Sequence, residues 1–280
     1  MTSTEEAVDQ DRALKARHRA MWALGDYSVV AEEVIPELGP VLVEACEVGP
    51  GDRVLDVAAG TGNAALPAAR RGARVVATDL TPELLARGER LAAAEDLALE
   101  WAEADAEQLP YEDASFDVVL SCVGVMFAPH HQRTADELVR VCRAGGRIGL
   151  LSWTPEGFIG QMFATMKPYV PPPPAGASPP PLWGREDHVR ELLADRVTDL
   201  RMERRLLQID RFGTAEEFRD LFKRVYGPTV AAYRNIAAEP ERVAALDADL
   251  AALAQRFGIG DGATTPKGWE YLLVTARRSG

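Results

Sequence analysis

Val54-Leu55-Asp56-Val57-Ala58-Ala59-Gly60-Thr61-Gly62-Asn63 is an apolar run that ends in a glycine turn and leads into an alanine-rich stretch. The pattern predicts a buried strand, a tight loop and a helix, and it places a ligand site at the carboxyl edge of an α/β sheet. Gly60 and Gly62 lack a Cβ, so a ligand can approach the backbone closely. Asp56 closes a buried strand, where an unpaired carboxylate is costly. Two readings satisfy it: an ammonium group on the ligand pairs with it, or it caps amides within the turn.

The next apolar run, Val75-Val76-Ala77-Thr78-Asp79, also ends on an acid. One βα unit beyond a glycine loop, such a carboxylate can accept hydrogen bonds from both ribose hydroxyls. The other reading is a loop acid that caps the helix opened by Thr81-Pro82-Glu83. Outward from here, short apolar runs at 53–57, 74–78, 97–101, 116–121 and 147–153 alternate with helical stretches. One of these stretches, 131–143, carries Ala135, Leu138, Val139 and Cys142 on one face and stops at Gly145-Gly146. Alternation of this kind predicts a parallel, Rossmann-like doubly wound α/β sheet.

Asp105-Ala106-Glu107-Gln108-Leu109-Pro110-Tyr111, followed by Ser115-Phe116-Asp117-Val118-Val119, completes a set of motifs with the two acid-ended strands. From about Gly51 to Trp153 the chain resembles class I S-adenosylmethionine (SAM)-dependent methyltransferases, in particular the ubiquinone and menaquinone biosynthesis group and natural-product enzymes. The resemblance implies a seven-stranded sheet with a mostly helical lid, SAM as cofactor and S-adenosylhomocysteine as product. It implies that Asp56 and the backbone near Ala58 and Gly60 hold the methionine end, with Gly62 and Asn63 also among the cofactor-binding residues. Asp79 takes the ribose, Leu80 faces the adenine, Asp105 and the Ala106 amide read the adenine edge, and Ser121 and Cys122 flank the methionine portion. An N-terminal aromatic, Tyr27 or Trp22, closes over the cofactor. Ala58 stands where many members carry glycine, and its methyl is expected to shift the loop slightly.

The implied domain plan is an N-terminal helical cap at 1–46, a SAM-binding core at 47–155, and a remainder at 156–280. That remainder divides into an acceptor-binding lid (156–184 and 212–266) and closing strands of the core sheet (197–210 and 268–277). The segment after Trp153 is rich in aromatics and methionine and includes the proline tract 171–174 and 179–181, which is stiff and extended. Phe127, Phe158, Met162, Phe163, Trp183, Phe222 and Tyr226, with Trp22, are therefore candidates for an apolar acceptor pocket. Several of them fit a structural core equally well. His130 and His131 follow the fourth strand and are the candidate bases; their other reading is helix entry on a solvated surface. The rival functions are a catalytically idle SAM-binding protein and a nicotinamide-dependent oxidoreductase. The second is suggested by Gly60-Thr61-Gly62-Asn63-Ala64-Ala65, but that fingerprint leaves Asp56 and Asp105-Ala106 unexplained.

Composition narrows the partners. The chain has 280 residues, 31 Lys and Arg against 43 Asp and Glu, and a formal charge of -12. Basic residues do not cluster, which argues against nucleic acid. Three cysteines, Cys46, Cys122 and Cys142, sit singly among apolar neighbours like reduced thiols. No apolar stretch matches a membrane span, and the start Met1-Thr2-Ser3-Thr4-Glu5-Glu6 is acidic where a signal peptide is basic. The expectation is a cytoplasmic monomer or homodimer that acts on a small molecule, without a metal.

Overall fold

The computed structural model describes residues 3–174, 176–260 and 268–280, with side chains from residue 9 onward. Part of the expected lid segment, 261–266, and the Glu5 and Glu6 side chains lie outside the described residues. Seven strands form one sheet: β1 (Arg53–Val57), β2 (Arg74–Asp79), β3 (Glu100–Glu103), β4 (Phe116–Cys122), β5 (Cys142–Trp153), β6 (Val197–Leu207) and β7 (Trp269–Arg278). Their order is β3-β2-β1-β4-β5-β7-β6. The first five pair in parallel, and β7 runs antiparallel between β5 and β6. This is the seven-stranded class I methyltransferase fold. It follows from strands such as Val54–Val57, which are buried on both faces and so read as continuous apolar runs.

Eleven α-helices are present among the described residues. They are α1 (Ser3–Trp22), α2 (Tyr27–Glu33), α3 (Leu38–Ala45), α4 (Ala65–Arg70), α5 (Pro82–Ala94), α6 (His131–Val141), α7 (Phe158–Met166), α8 (Glu186–Leu193), α9 (Ala215–Val225), α10 (Gly227–Asn235) and α11 (Pro240–Arg256). Helices α3 to α6 pack on β1 to β5, α1 docks on α10, and α9 joins α11. No described helix is long and apolar enough to cross a membrane.

Two boundaries differ from the sequence reading. β3 begins at Glu100 rather than near Leu97, because the strand is only half-buried at its middle and has a weak apolar signature. β5 reaches back to Cys142 through Gly145-Gly146, with Gly145 at φ 68°, where the glycine pair predicted a helix stop and a loop.

The order of α1, Gly25 and α2 depends on a close approach. Gly25 has φ 73°, and a Cβ there would lie 2.5 Å from the Val225 carbonyl oxygen. The Asp26 amide donates to that oxygen at 3.0 Å. The N-terminal cap is thus fastened to the end of α9. Asp26 then caps α2 by accepting from the Ser28 amide at 3.2 Å, which fixes Tyr27 at the first helical position.

The aromatics after Trp153 form core rather than a separate layer. The Phe158 ring stacks on Trp269 at 4.6 Å and 14° and meets Phe218 at 4.9 Å. Phe158, Met162, Trp183, Phe218 and Phe222 are all buried. Phe158→Ala should therefore cost about 3–5 kcal/mol of stability, read by chemical denaturation of the purified protein. A loss below about 1 kcal/mol would place the ring at a relaxed cavity wall instead.

Candidate functional site

A cleft of about 800 Å³, its open mouth included, lies over the carboxyl ends of β1, β2 and β4 and under α1 and α2. Its floor is built from the turn after β1. Ala58 has φ 54° and Gly60 φ 57°. A left-handed conformation costs a residue with a Cβ such as Ala58 roughly 1–2 kcal/mol. Opposite, a Cβ on Gly124 would lie 2.1 Å from the Ala58 carbonyl oxygen, so the loop after β4 closes directly against this turn. The Tyr27 ring covers Gly60, 3.7 Å from where a Cβ would stand.

Asp79 ties the floor together. One carboxylate oxygen accepts from the Gly60 amide and the other from the Thr81 amide, both at 2.8 Å. The side chain lines the cleft although the residue is only 9% exposed. Burial raises its pKa, against the downward pull of these amides. The Thr81 hydroxyl and the Leu80 amide act on the same carboxylate. Thr81 starts α5 without a hydroxyl cap; its amide serves Asp79 instead.

Asp56 is placed differently. It is fully buried, accepts from the Ala65 amide at 2.8 Å, and is absent from the cleft lining. Its second oxygen, Oδ1, finds no partner among the described residues. The geometry is that of an acid capping local amides. Burial, opposed by the Ala65 amide, pushes its pKa up to about 7. Ser121 also sits behind the cleft, donating to the Val57 carbonyl at 2.7 Å and accepting from the Val125 amide at 3.0 Å. Gly62 lies outside the lining as well. Tyr27, Ala58, Gly60, Asn63, Asp79, Leu80, Asp105, Ala106 and Cys122 are brought together in the cleft, and burial raises the Cys122 thiol pKa.

Of the candidate acceptor residues, Trp22 and Phe127 line the cleft, with ring centroids 4.7 Å apart. Phe163 and Tyr226 stand behind them, Phe163 at 5.8 Å from Phe127 and Tyr226 at 5.7 Å from Trp22. Phe158, Met162, Trp183 and Phe222 belong to the core.

Neither His130 nor His131 lines the cleft. The His130 amide and Nδ1 both meet Glu107, at 2.7 and 2.9 Å. His131 is buried with Nδ1 at 2.9 Å from His188 Nε2, and burial, together with that neighbour, lowers its pKa to about 4. The imidazole in the cleft is His18, with Lys15 beside it. Burial lowers the His18 pKa, countered in part by Glu107 and by a hydrogen bond to the Phe127 backbone. The signal for these residues was the helical spacing of Asp11, Lys15, His18 and Trp22, which share one face of α1. Asp11, Glu107 and His130 approach within 4.8 Å of one another, a spacing compatible with a metal, but the Lys15 ammonium already touches both acids.

Residues 55–150 match the family described as a methyltransferase domain. The chain carries a class I SAM-dependent methyltransferase domain. It also belongs to one family with an uncharacterized protein of Mycobacterium tuberculosis (strain H37Rv), 55% identical over 97% of both chains. A demethylmenaquinone methyltransferase of Deinococcus radiodurans is 40% identical over 43% of this chain and 52% of its own. Among solved structures, the YcgJ protein of Bacillus subtilis has TM-score 0.59 at 18% identity, covering 87% of this chain and 99% of that one. A geranyl diphosphate methyltransferase in complex with SAM has TM-score 0.54 at 16% identity, over 87% and 85%.

The buried acid of the methyltransferase domain gives a pH test. An unfolded Asp titrates near 3.9, so between that pH and about 7 the folded chain keeps a proton on Asp56 that the unfolded chain has lost. The stability contributed by this group is full below the unfolded pKa and is lost as pH rises through the folded one. Relative to Asp56→Asn, the wild type should lose on the order of 1–4 kcal/mol between pH 4 and 7.5. A stability difference that stays flat across denaturation curves in that range would mean that Asp56 is ionised in the fold.

Proposed function

We propose that this chain transfers the methyl group of SAM to a small-molecule acceptor seated against Trp22 and Phe127. The observation that carries the reading is the arrival of Asp79, Gly60 and Asp105 at one cleft. A ribose on Asp79, a base between Leu80 and the Asp105-Ala106 unit, and a methionine tail along Ala58 to Gly60 fit the groups of that floor. Asp56 supports the site by holding the Ala65 amide and the turn. A nicotinamide dinucleotide would instead need a pyrophosphate at Gly62, which is outside the lining.

The sulfonium supplies an electrophilic methyl, and the protein binds and aligns the reactants. Tyr27, Trp22 and Phe127 exclude water from the face opposite the floor, and alignment in such a site is worth roughly 7–11 kcal/mol in favourable cases. His18 is the imidazole placed to take a proton from an acceptor that must lose one. Its lowered pKa keeps it neutral near pH 7, and the Phe127 backbone orients the ring. The aromatic wall favours an apolar or aromatic acceptor, natural-product or quinone-like, methylated on oxygen, nitrogen or carbon.

Calorimetry should show SAM and S-adenosylhomocysteine binding far better than NADH. Asp79→Ala should weaken that binding by about 1.5–3 kcal/mol; unchanged affinity would remove Asp79 from the site. A screen of small acceptors with labelled SAM tests turnover: binding without transfer to any acceptor would favour an idle SAM-binding protein. On an acceptor that loses a proton, His18→Gln should lower turnover about 10²- to 10⁴-fold with cofactor affinity kept.

A further inference from the structure

Lys15 joins two chain segments that form the cleft, the N-terminal helix and the loop after β3. Its Nζ lies 2.6 Å from Asp105 Oδ2, 2.8 Å from Asp11 Oδ2 and 2.9 Å from Glu107 Oε2, and the side chain is 14% exposed. Lys15 itself lines the cleft. The other Asp105 oxygen accepts from the Glu107 amide at 2.9 Å. Both oxygens of Asp105 are thus fixed, one by a cation and one by a backbone donor. Without the ammonium, Asp105 would share its surroundings with the Asp11 and Glu107 carboxylates, a crowd of like charge that drives the side chain out of this position.

Resting on the SAM reading above, we infer that Lys15 is a positioning residue for base selection. It fixes the Asp105 carboxylate in place, so that the cleft accepts a purine that offers an amino group at that edge and rejects one that offers a carbonyl. The chemistry is one-sided. An ionised carboxylate only accepts hydrogen bonds, so it takes adenine's exocyclic amine and repels the oxygen of hypoxanthine. A carboxylate no longer held by the cation can turn away from the base edge, and discrimination is lost. Asp105 touches the base, and Lys15 acts through it. Glu107, 1% exposed at its side chain, completes the arrangement, since the His130 ring and amide hold it from the far side.

Lys15 also fastens α1 to the core, so a loss of affinity alone would not separate positioning from simple docking. The ratio of affinities does. Calorimetry at pH 7.5 with S-adenosylhomocysteine and S-inosylhomocysteine as probes should show the wild type preferring the adenine compound by about tenfold or more, as a site built around one hydrogen-bonded group does. In Lys15→Met that ratio should fall to within about threefold, while Lys15→Arg, which keeps the charge, should retain most of it. Lys15→Gln, which loses the charge and keeps hydrogen-bonding capacity, gives the same reading should the methionine variant not fold. A wild-type ratio preserved in the neutral variants, even with both affinities lowered, makes Lys15 a docking residue only and overturns the inference. Equal affinity of the wild type for both probes overturns it too. Failure of the SAM reading itself looks different, because the wild type would then bind neither probe.

Discussion

Everything in the cleft depends on a buried carboxylate. Asp79 brings a negative charge to the end of β2, a position that costs several kcal/mol unless donors meet it. The Gly60 and Thr81 amides meet it, and in doing so they bind the turn after β1 to the turn after β2. The left-handed Ala58 and Gly60 then have a fixed geometry despite their intrinsic strain. Charge-assisted bonds to backbone donors are about twice as strong as neutral ones, so this one side chain can hold two loops in register. The Leu80 and Thr81 positions, and the entry to α5, follow from the same contacts.

A second tie gathers what the first does not reach. Glu107, in the loop after β3, takes the His130 amide from the loop after β4 and the Lys15 ammonium from α1. The cap therefore docks by ions at Lys15 and Arg19 and by apolar packing at Trp22, which meets Tyr27 at 5.5 Å and Tyr226 at 5.7 Å. Each ion pair is worth little if exposed, but Glu107 is nearly sealed from solvent, so removing one partner would leave an unpaired buried charge.

The sheet was legible because its central strands are buried on both faces, which forces apolar, β-branched runs such as Val75-Val76-Ala77 into the sequence. β3 was blurred because it is half-buried, and the start of β5 was hidden because Gly145-Gly146 carries a local helix-stop signal that strand pairing overrides. The site divides in the same way. Asp79, Gly60 and Asp105 belong to local strand-turn motifs and could be read from spacing. Lys15 and His18 acquire their positions only when α1 docks across the cleft, a contact about 90 residues away in sequence for Lys15 and Asp105. His130 and His131 sit close to the cleft in sequence, yet their rings turn to Glu107 and His188.

The aromatic wall of the cleft is continuous with the core, and this limits how it can vary. Trp22 packs on Tyr226, Tyr226 on Phe222 at 5.2 Å, Phe222 on Phe218 at 4.5 Å, and Phe218 on Phe158 at 4.9 Å. Phe158 in turn stacks on Trp269 in β7. Close-packed rings transmit a change of volume because no void absorbs it. A larger acceptor cannot be accommodated by carving into Tyr226 or Phe222 without disturbing the sheet behind them. Room is available only on the cap side, where Trp22, His18 and Lys15 ride on a single helix held at Lys15 and at Trp22. Changes in acceptor size among relatives of this chain should accordingly fall in that helix and in the Phe127 loop, where a substitution alters the cleft without opening the core.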